Sequence, residues 1–325
     1  MNRCFNKNGS LFNVSATRHI AALGEAMLEL RGPAFGTLQQ GFGGDTLNTA
    51  LYLARCTPGC TVHYATALGD DPLSDGLLAR WRDEGLSTDW VQRLPGRLPG
   101  LYQIEVDAHG ERRFQYWRGQ SGARAFFDAP LTALEANAGQ LDALLLSGIS
   151  LAILPEAGRE RALALMRKLR RRGALVAFDN NYRPRLWAGA DEARHWMSLA
   201  FQTATLALVT ADDHQALHAL PDEDAAVTAA QALPTPEIAI KRGPRATRVG
   251  GAALGWRDVA TEPVARVVDT TAAGDAFGAG YLSGRLQGLT PAAAAALGNR
   301  LAARVIQHPG ALIPRDAMRD LLAPA

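Results

Sequence analysis

The chain has 325 residues, 47% hydrophobic and 20% charged, with 34 Lys and Arg against 32 Asp and Glu for a formal charge of +2. That balance excludes a disordered or coiled-coil chain and gives no electrostatic reason to expect a nucleic-acid partner. A chain of this length buries about three quarters of its unfolded surface and needs no disulfide or structural metal, so Cys4, Cys56 and Cys60 read as reduced thiols of a cytoplasmic protein.

Residues 1–18 carry Arg3, Lys7 and Arg18 with no acid and lack the apolar run of a secretory signal, so they are expected to form a tail ahead of one domain over 19–325. Beyond them, short apolar runs alternate with amphipathic stretches. Strands are expected at His19–Leu23, Val62–Ala67, Ala143–Leu146, Leu175–Phe178, Leu206–Val209 and Ile238–Ile240. Helices are expected at Leu47–Arg55, Leu73–Glu84, Glu156–Arg171, Asp191–Phe201, Asp213–Ala219, Gly274–Leu286 and Pro291–Ile306. The alternation predicts βαβ units, hence an α/β fold with a doubly wound, mostly parallel sheet and ligands at the carboxyl ends of its strands.

Two hairpins interrupt the pattern. One joins Gly100–Val106 to Glu111–Trp117 across Asp107–Gly110, and the other runs from Thr247 to Val259 around Gly250-Gly251. An isolated hairpin is marginal in water, so the first is expected to be a small β lid or a subunit contact of a homo-oligomer. The longest apolar stretch, Leu141–Leu154, is broken by Asp142, Ser147, Gly148 and Ser150 and is too short to cross a bilayer, so no membrane partner is expected. The basic run Arg167–Arg172 closes a predicted helix, where the dipole favours cations, and reads as a solvated face.

Two turns lead into predicted helices and carry the chemistry. In Asp269-Thr-Thr-Ala-Ala-Gly-Asp275, the N–H groups of a helix start lack intrahelical partners, so Ala272, Ala273 and Gly274 can hold a phosphate or an oxyanion. Asp275, at the mouth of that turn, is placed to accept a proton from an attacking hydroxyl. In the loop Gly41–Thr49, Gly43 and Gly44 permit close approach of a ligand, and Asp45 and Asn48 offer hydrogen bonds to sugar hydroxyls. Taken singly, each turn is also an ordinary capped helix start. A Walker loop is excluded because Gly-Lys never occurs, and Gly278, Gly280 and Gly284 fall inside a helix and read as packing positions.

The order and separation of the two turns resemble the signatures of the PfkB (ribokinase-like) family of carbohydrate kinases, from His19 onward. Gly24-Glu25-Ala-Met-Leu-Glu29, Arg97-Leu-Pro-Gly-Leu-Tyr102, Tyr116-Trp-Arg118, Leu146–Leu151 and Phe178–Trp187 are further similar to members that phosphorylate 2-dehydro-3-deoxygluconate. The resemblance implies a ribokinase-like fold with lid segments near 31–43 and 97–118, and phosphoryl transfer from ATP to the C6 hydroxyl of that sugar acid. It implies that Gly43, Gly44, Asp45 and Asn48 hold the sugar, that Tyr102 and Tyr116 close over it, and that Arg118 and Arg183 meet its anionic end and the phosphates. By the same resemblance ATP lies along Thr210, Lys241, Gly243, Thr247 and Asn299, with its phosphates on Ala272, Ala273 and Gly274. Asp275 is then the base, Mg²⁺ rides on the phosphates, and a monovalent cation such as K⁺ sits by Asp269 and Thr271. Planar guanidinium groups suit the carboxylate of a sugar acid, which a neutral ketose lacks. Fructose or a related ketose is the alternative substrate, and a non-catalytic sugar-acid sensor the alternative function. Two departures from the family pattern stand out: its Gly-Ala-Gly-Asp turn reads Ala272-Ala-Gly-Asp275, and its Asn-x-x-Glu reads Thr210-x-x-Asp213.

Overall fold

Apolar residues on both faces of a strand mark the centre of a parallel sheet, and the first strand shows it: Ala21 and Leu23 pack into one core cluster, Ile20 and Ala22 into the other. The computed structural model describes residues 17–106 and 112–322. In chain order its strands are β1 (Arg18–Leu23), β2 (Met27–Arg31), β3 (Gln39–Gly43), β4 (Cys60–Leu68), β5 (Val91–Arg93), β6 (Gly100–Val106) and β7 (Arg112–Trp117). They continue as β8 (Leu141–Ser147), β9 (Leu175–Asp179), β10 (Leu206–Thr210), β11 (Glu237–Lys241), β12 (Thr247–Gly251) and β13 (Gly255–Val259).

Nine of these strands form one sheet in the order β13, β12, β11, β10, β9, β8, β1, β4, β5. It is parallel from β11 to β5, and the hairpin β12–β13 adds an antiparallel edge. Helices cover both faces. Leu163 and Met166 of Glu156–Arg171 and Met197 and Phe201 of Ala190–Thr203 fill one cluster. Leu47 and Leu51 of Asp45–Cys56, Phe277 and Tyr281 of Ala273–Leu286, and Leu301 of Pro291–Val305 fill the other. The helical glycines do pack: a Cβ on Gly280 would lie 2.8 Å from the Gly298 backbone, and one on Gly284 3.0 Å from Ala294.

The remaining four strands form a separate small sheet in the order β3, β2, β6, β7. The Gly100–Trp117 hairpin is therefore not isolated, because β2 runs parallel to β6 and carries β3 on its other side. The expected turn Asp107–Gly110 lies outside the described residues. The second hairpin turns at Ala252–Leu254, beyond the two glycines. Gly250 and Gly251 end β12, where a Cβ would run into the carbonyls of Gly255 and Pro236.

Elements with weak apolar patterning were missed. Glu223–Gln231 is a helix capped by the Asp222 side chain, and Gly148–Ile153 is a short one boxed by Ser147 and Ser150. Of the expected tail, residues 1–16 lie outside the described residues, while Arg18 already belongs to β1. The basic run Arg167–Arg172 is exposed except for residue 169. Among the described residues, no helix is long and apolar enough to cross a membrane.

Candidate active site

The parallel strands end in polar residues on one rim of the large sheet: Ser147 closes β8, Asp179 β9, Thr210 β10 and Lys241 β11. Each follows an apolar run that fixes the strand, so the first residue past the core projects where α/β sheets bind ligands. Two helices begin at the same rim. Asp45 opens Asp45–Cys56 after Gly44, whose φ of 155° and whose closeness to the Glu25 carbonyl leave no room for a Cβ. Asp275 lies in the first turn of Ala273–Leu286.

Side chains from these ends converge. The Asn48 amide donates to Asp275 Oδ2 at 2.8 Å, and Asp45 Oδ2 accepts from Ser147 Oγ at 2.5 Å and Asn181 Nδ2 at 2.8 Å. Lys241 Nζ donates to Asp179 Oδ2 at 2.7 Å. The same ammonium lies beside the anion turn, 3.5 Å from where a Gly274 Cβ would be. Among the described residues Asp275 therefore lacks a cationic partner in direct contact. Burial, with the nearby Asp45 carboxylate adding to it, pushes Asp275 from its ordinary 3.8 up to about 8, against the Asn48 hydrogen bond. Asp179 is raised as well, by burial, although Lys241 opposes the shift.

The anion turn is tighter than expected. The Ala273 N–H closes it on the Thr270 carbonyl, and the helix ladder opens with Ala276 N–H on Ala272, so Gly274 and Asp275 supply the first-turn N–H groups that precede the ladder. Asp269 anchors the turn from below, accepting the Thr271 N–H at 2.8 Å and the Gly310 N–H at 2.9 Å.

Among the residues expected to line the nucleotide, Thr210 is held by Asn180, which accepts its N–H at 2.9 Å and donates to its carbonyl at 3.1 Å. Gly243 takes a φ of 58° in the turn after β11. Thr247 and Asn299 are buried against each other, Oγ1 donating to Oδ1 at 2.8 Å, while the Asn299 amide also donates to the Ala260 carbonyl at 3.0 Å. This pair pins the β12–β13 hairpin.

The small sheet brings the aromatic residues to the same mouth. Tyr102 is buried on β6, its hydroxyl against Gly43 and donating to Glu29 Oε2 at 2.6 Å. Tyr116, opposite it on β7, is half exposed, with ring centroids 6.0 Å apart. The two arginines differ. Arg118 is partly buried and ion-paired with the buried Glu25, whereas Arg183 is half exposed and donates to Asp213 Oδ1 at 3.0 Å. Reading the sequence gave no role to Ser147, Asp179 or Asn181, yet each is the polar residue at or just beyond the end of an apolar strand, which is the signal that finds them.

The sequence model of the pfkB family carbohydrate kinases matches residues 17–318. The chain belongs to that family. A 2-dehydro-3-deoxygluconokinase of Dickeya dadantii (strain 3937) is 45% identical over 307 residues, covering 93% of this chain and 99% of that protein. The protein of the same name from Escherichia coli (strain K12) is 42% identical, again over 93% of this chain and 99% of its own. In structure, a PfkB protein from Polaromonas sp. JS666 superposes with a TM-score of 0.77 at 27% identity, covering 90% of this chain and 96% of that one.

Within the pfkB family the two departures acquire a structural meaning. Ala272 caps the helix Ala273–Leu286 with a φ of 61°, the left-handed region where glycine is at ease and alanine is strained. In the variant Thr210-x-x-Asp213, the shorter Asp213 carboxylate is engaged by Arg183.

Proposed function

We propose that this kinase transfers the terminal phosphoryl group of ATP to the C6 hydroxyl of 2-dehydro-3-deoxy-D-gluconate, giving 2-dehydro-3-deoxy-6-phospho-D-gluconate. The observation that carries the reading is the 40–45% identity to curated 2-dehydro-3-deoxygluconokinases over nearly their whole length. The rim supplies a consistent chemistry.

Asn48 occupies one oxygen of Asp275, leaving the other to accept the proton of the attacking hydroxyl as the oxygen–phosphorus bond forms and ADP departs. A carboxylate held near neutrality by its surroundings is suited to that exchange, since it can both take the proton and release it. Gly43, Gly44, Asp45 and Asn48 hold the sugar hydroxyls beneath Tyr102 and Tyr116. Lys241 and the first-turn N–H groups meet the phosphates, where positive charge offsets what builds up during transfer. The nucleotide runs outward past Thr210, Gly243 and the hairpin pinned by Thr247 and Asn299. Arg183, with half its surface open beside Asp213, receives the sugar carboxylate.

Family kinases use ATP with a divalent metal, here taken as Mg²⁺. Among the described residues Asp179 Oδ1 is buried with no hydrogen bond, and together with Asp213 it is the kind of oxygen donor Mg²⁺ takes directly or through water. When bound, that ion neutralises phosphate charge. Asp269 and Thr271 are the residues that the family resemblance gives to a monovalent cation such as K⁺, in a turn that Asp269 braces through the Thr271 and Gly310 N–H groups.

The outer strand β7 exposes Phe114 and Trp117, and an edge of this kind is commonly covered, which favours a homo-oligomer formed through the small sheet. Cys56 and Cys60 are free thiols, as suits the cytoplasm. The deciding experiment is a coupled ADP-release assay over a panel of sugar acids and ketoses. Turnover highest with 2-dehydro-3-deoxygluconate supports the reading; fructose as the better substrate, or no ATP consumption with any sugar, overturns it.

A further inference from the structure

Glu25 lies in the three-residue joint between β1 of the large sheet and β2 of the small one, and it is 1% exposed. A carboxylate so deep needs a charged partner. Its partner is Arg118, the first residue after β7, at the far end of the small sheet's fold. Apart from this ion pair, neither Glu25 oxygen nor Arg118 Nε has a hydrogen bond among the described residues. The fold makes room for the pair: at Gly100, which opens β6 beside Met27, a Cβ would lie 2.7 Å from Glu25 Oε1 and 3.3 Å from Arg118 Cβ. The Arg118 guanidinium also stands 5.9 Å from the centre of the Tyr116 ring, which lies tilted beside Tyr102, whose own hydroxyl donates to Glu29.

We infer that Glu25 is a positioning residue. It fixes Arg118 at the joint, so that the small sheet presents Arg118, Tyr116 and Tyr102 to the sugar acid as one unit. The inference rests on the sugar-acid reading above, because it takes Arg118 to face that ligand. Nucleotide contacts are built on the large sheet, at Lys241 and the turn before Asp275, and stand apart from this pair. Glu25 should therefore act on one substrate only.

The test is a double-mutant cycle with Glu25→Gln and Arg118→Met, following KM for each substrate and Tm. Glu25→Gln is expected to raise KM for 2-dehydro-3-deoxygluconate roughly tenfold or more and to leave KM for ATP within about twofold. In the Arg118→Met background the same change should raise KM no further, because the side chain Glu25 positions is gone, and it should recover Tm, because no buried charge is left unpaired. Additive effects on KM, or equal rises for both substrates, overturn the inference. Should Glu25→Gln fail to fold, the double variant and Arg118→Lys, which keeps the ion pair, still report KM for the sugar acid. An unchanged KM in both overturns the inference, while wild-type turnover of 2-dehydro-3-deoxygluconate in the same assay leaves the functional reading intact. Absence of that wild-type turnover is the separate failure of the functional reading.

Discussion

The helix Ala273–Leu286 and strand β11 run side by side, and their two ends treat buried charge in opposite ways. At the amino end of β11, Glu237 accepts both Nε and Nη2 of Arg285, at 2.7 and 2.9 Å, and the Tyr281 hydroxyl at 2.8 Å. Acceptor and donors are matched. At the carboxyl end, Lys241 lies beside the helix start, yet it pairs with Asp179, and among the described residues the Asp275 carboxylate is met by the Asn48 amide and by no cation in direct contact. The same two elements thus carry a saturated ion pair that holds them together and, about three helical turns away, a carboxylate kept short of compensation. A carboxylate fully matched by a cation would be too weak a base to take a hydroxyl's proton, so the incomplete pairing is what the role proposed for Asp275 requires.

The comparison predicts a double dissociation. Asp275→Asn should fold normally and lose roughly 10²–10⁴-fold in turnover, the range of a positioned general base. Near-wild-type turnover, measured where the chemical step limits the rate, would show that another group takes the proton. At the other end, Arg285→Met strands a largely buried Glu237 and should cost about 2–3 kcal/mol of stability, the low side for a broken buried pair because the guanidinium is partly exposed. Its kcat should stay within about twofold of wild type, and chemical denaturation beside steady-state kinetics separates the two effects.

A third variant asks whether the open arginine at the rim is specific. Arg183→Ala should lower kcat/KM for 2-dehydro-3-deoxygluconate by roughly 30-fold or more and change weak activity on fructose much less, because only the acid leaves a carboxylate unmatched. Equal losses on both substrates would move Arg183 to general phosphate binding.

Smaller effects sharpen the carboxyl-end picture. Asp275 is raised from 3.8 to about 8, so the folded state holds its proton more tightly than the unfolded chain does. Its contribution to stability is then fully present below pH 4 and is lost as pH rises through 8. Asp275→Asn, neutral at every pH, should gain in Tm over wild type as pH goes from 5 to 8.5, by roughly a few degrees. A difference independent of pH would mean that Asp275 is not held protonated. Last, Ala272→Gly relieves a left-handed alanine and should change stability by less than about 1 kcal/mol, strain relief being partly offset by the greater chain entropy of glycine. Unaltered KM for ATP would show that the turn's shape is set by the Ala273–Thr270 and Asp269–Gly310 hydrogen bonds.

Much of the frame was legible in the chain because it rests on local patterning. Strands such as Leu175–Asp179 and Leu206–Thr210 are continuous apolar runs that only the centre of a parallel sheet can bury on both faces, so their existence and direction follow from composition and order. The short turn ending at Asp275 was legible for a similar reason, since small residues leading into a helix create unpartnered N–H groups wherever they occur. β2 and β3 were not, because their residues alternate poorly: β2 is held by pairing with β6, about seventy residues away, and β3 by pairing with β2. That pairing turns a lone hairpin into a four-stranded cover. Charge pairing was equally invisible: nothing local says that Lys241 will meet Asp179 and not Asp275, or that Glu25 will meet Arg118 across the joint of two sheets. The sequence by itself determined where the apolar strands end and where the two helix-opening turns lie, through runs, turns and caps that depend on near neighbours. Only the tertiary structure decided which charges are matched and which are left wanting, since a buried ion pair is set by distances between segments remote in sequence.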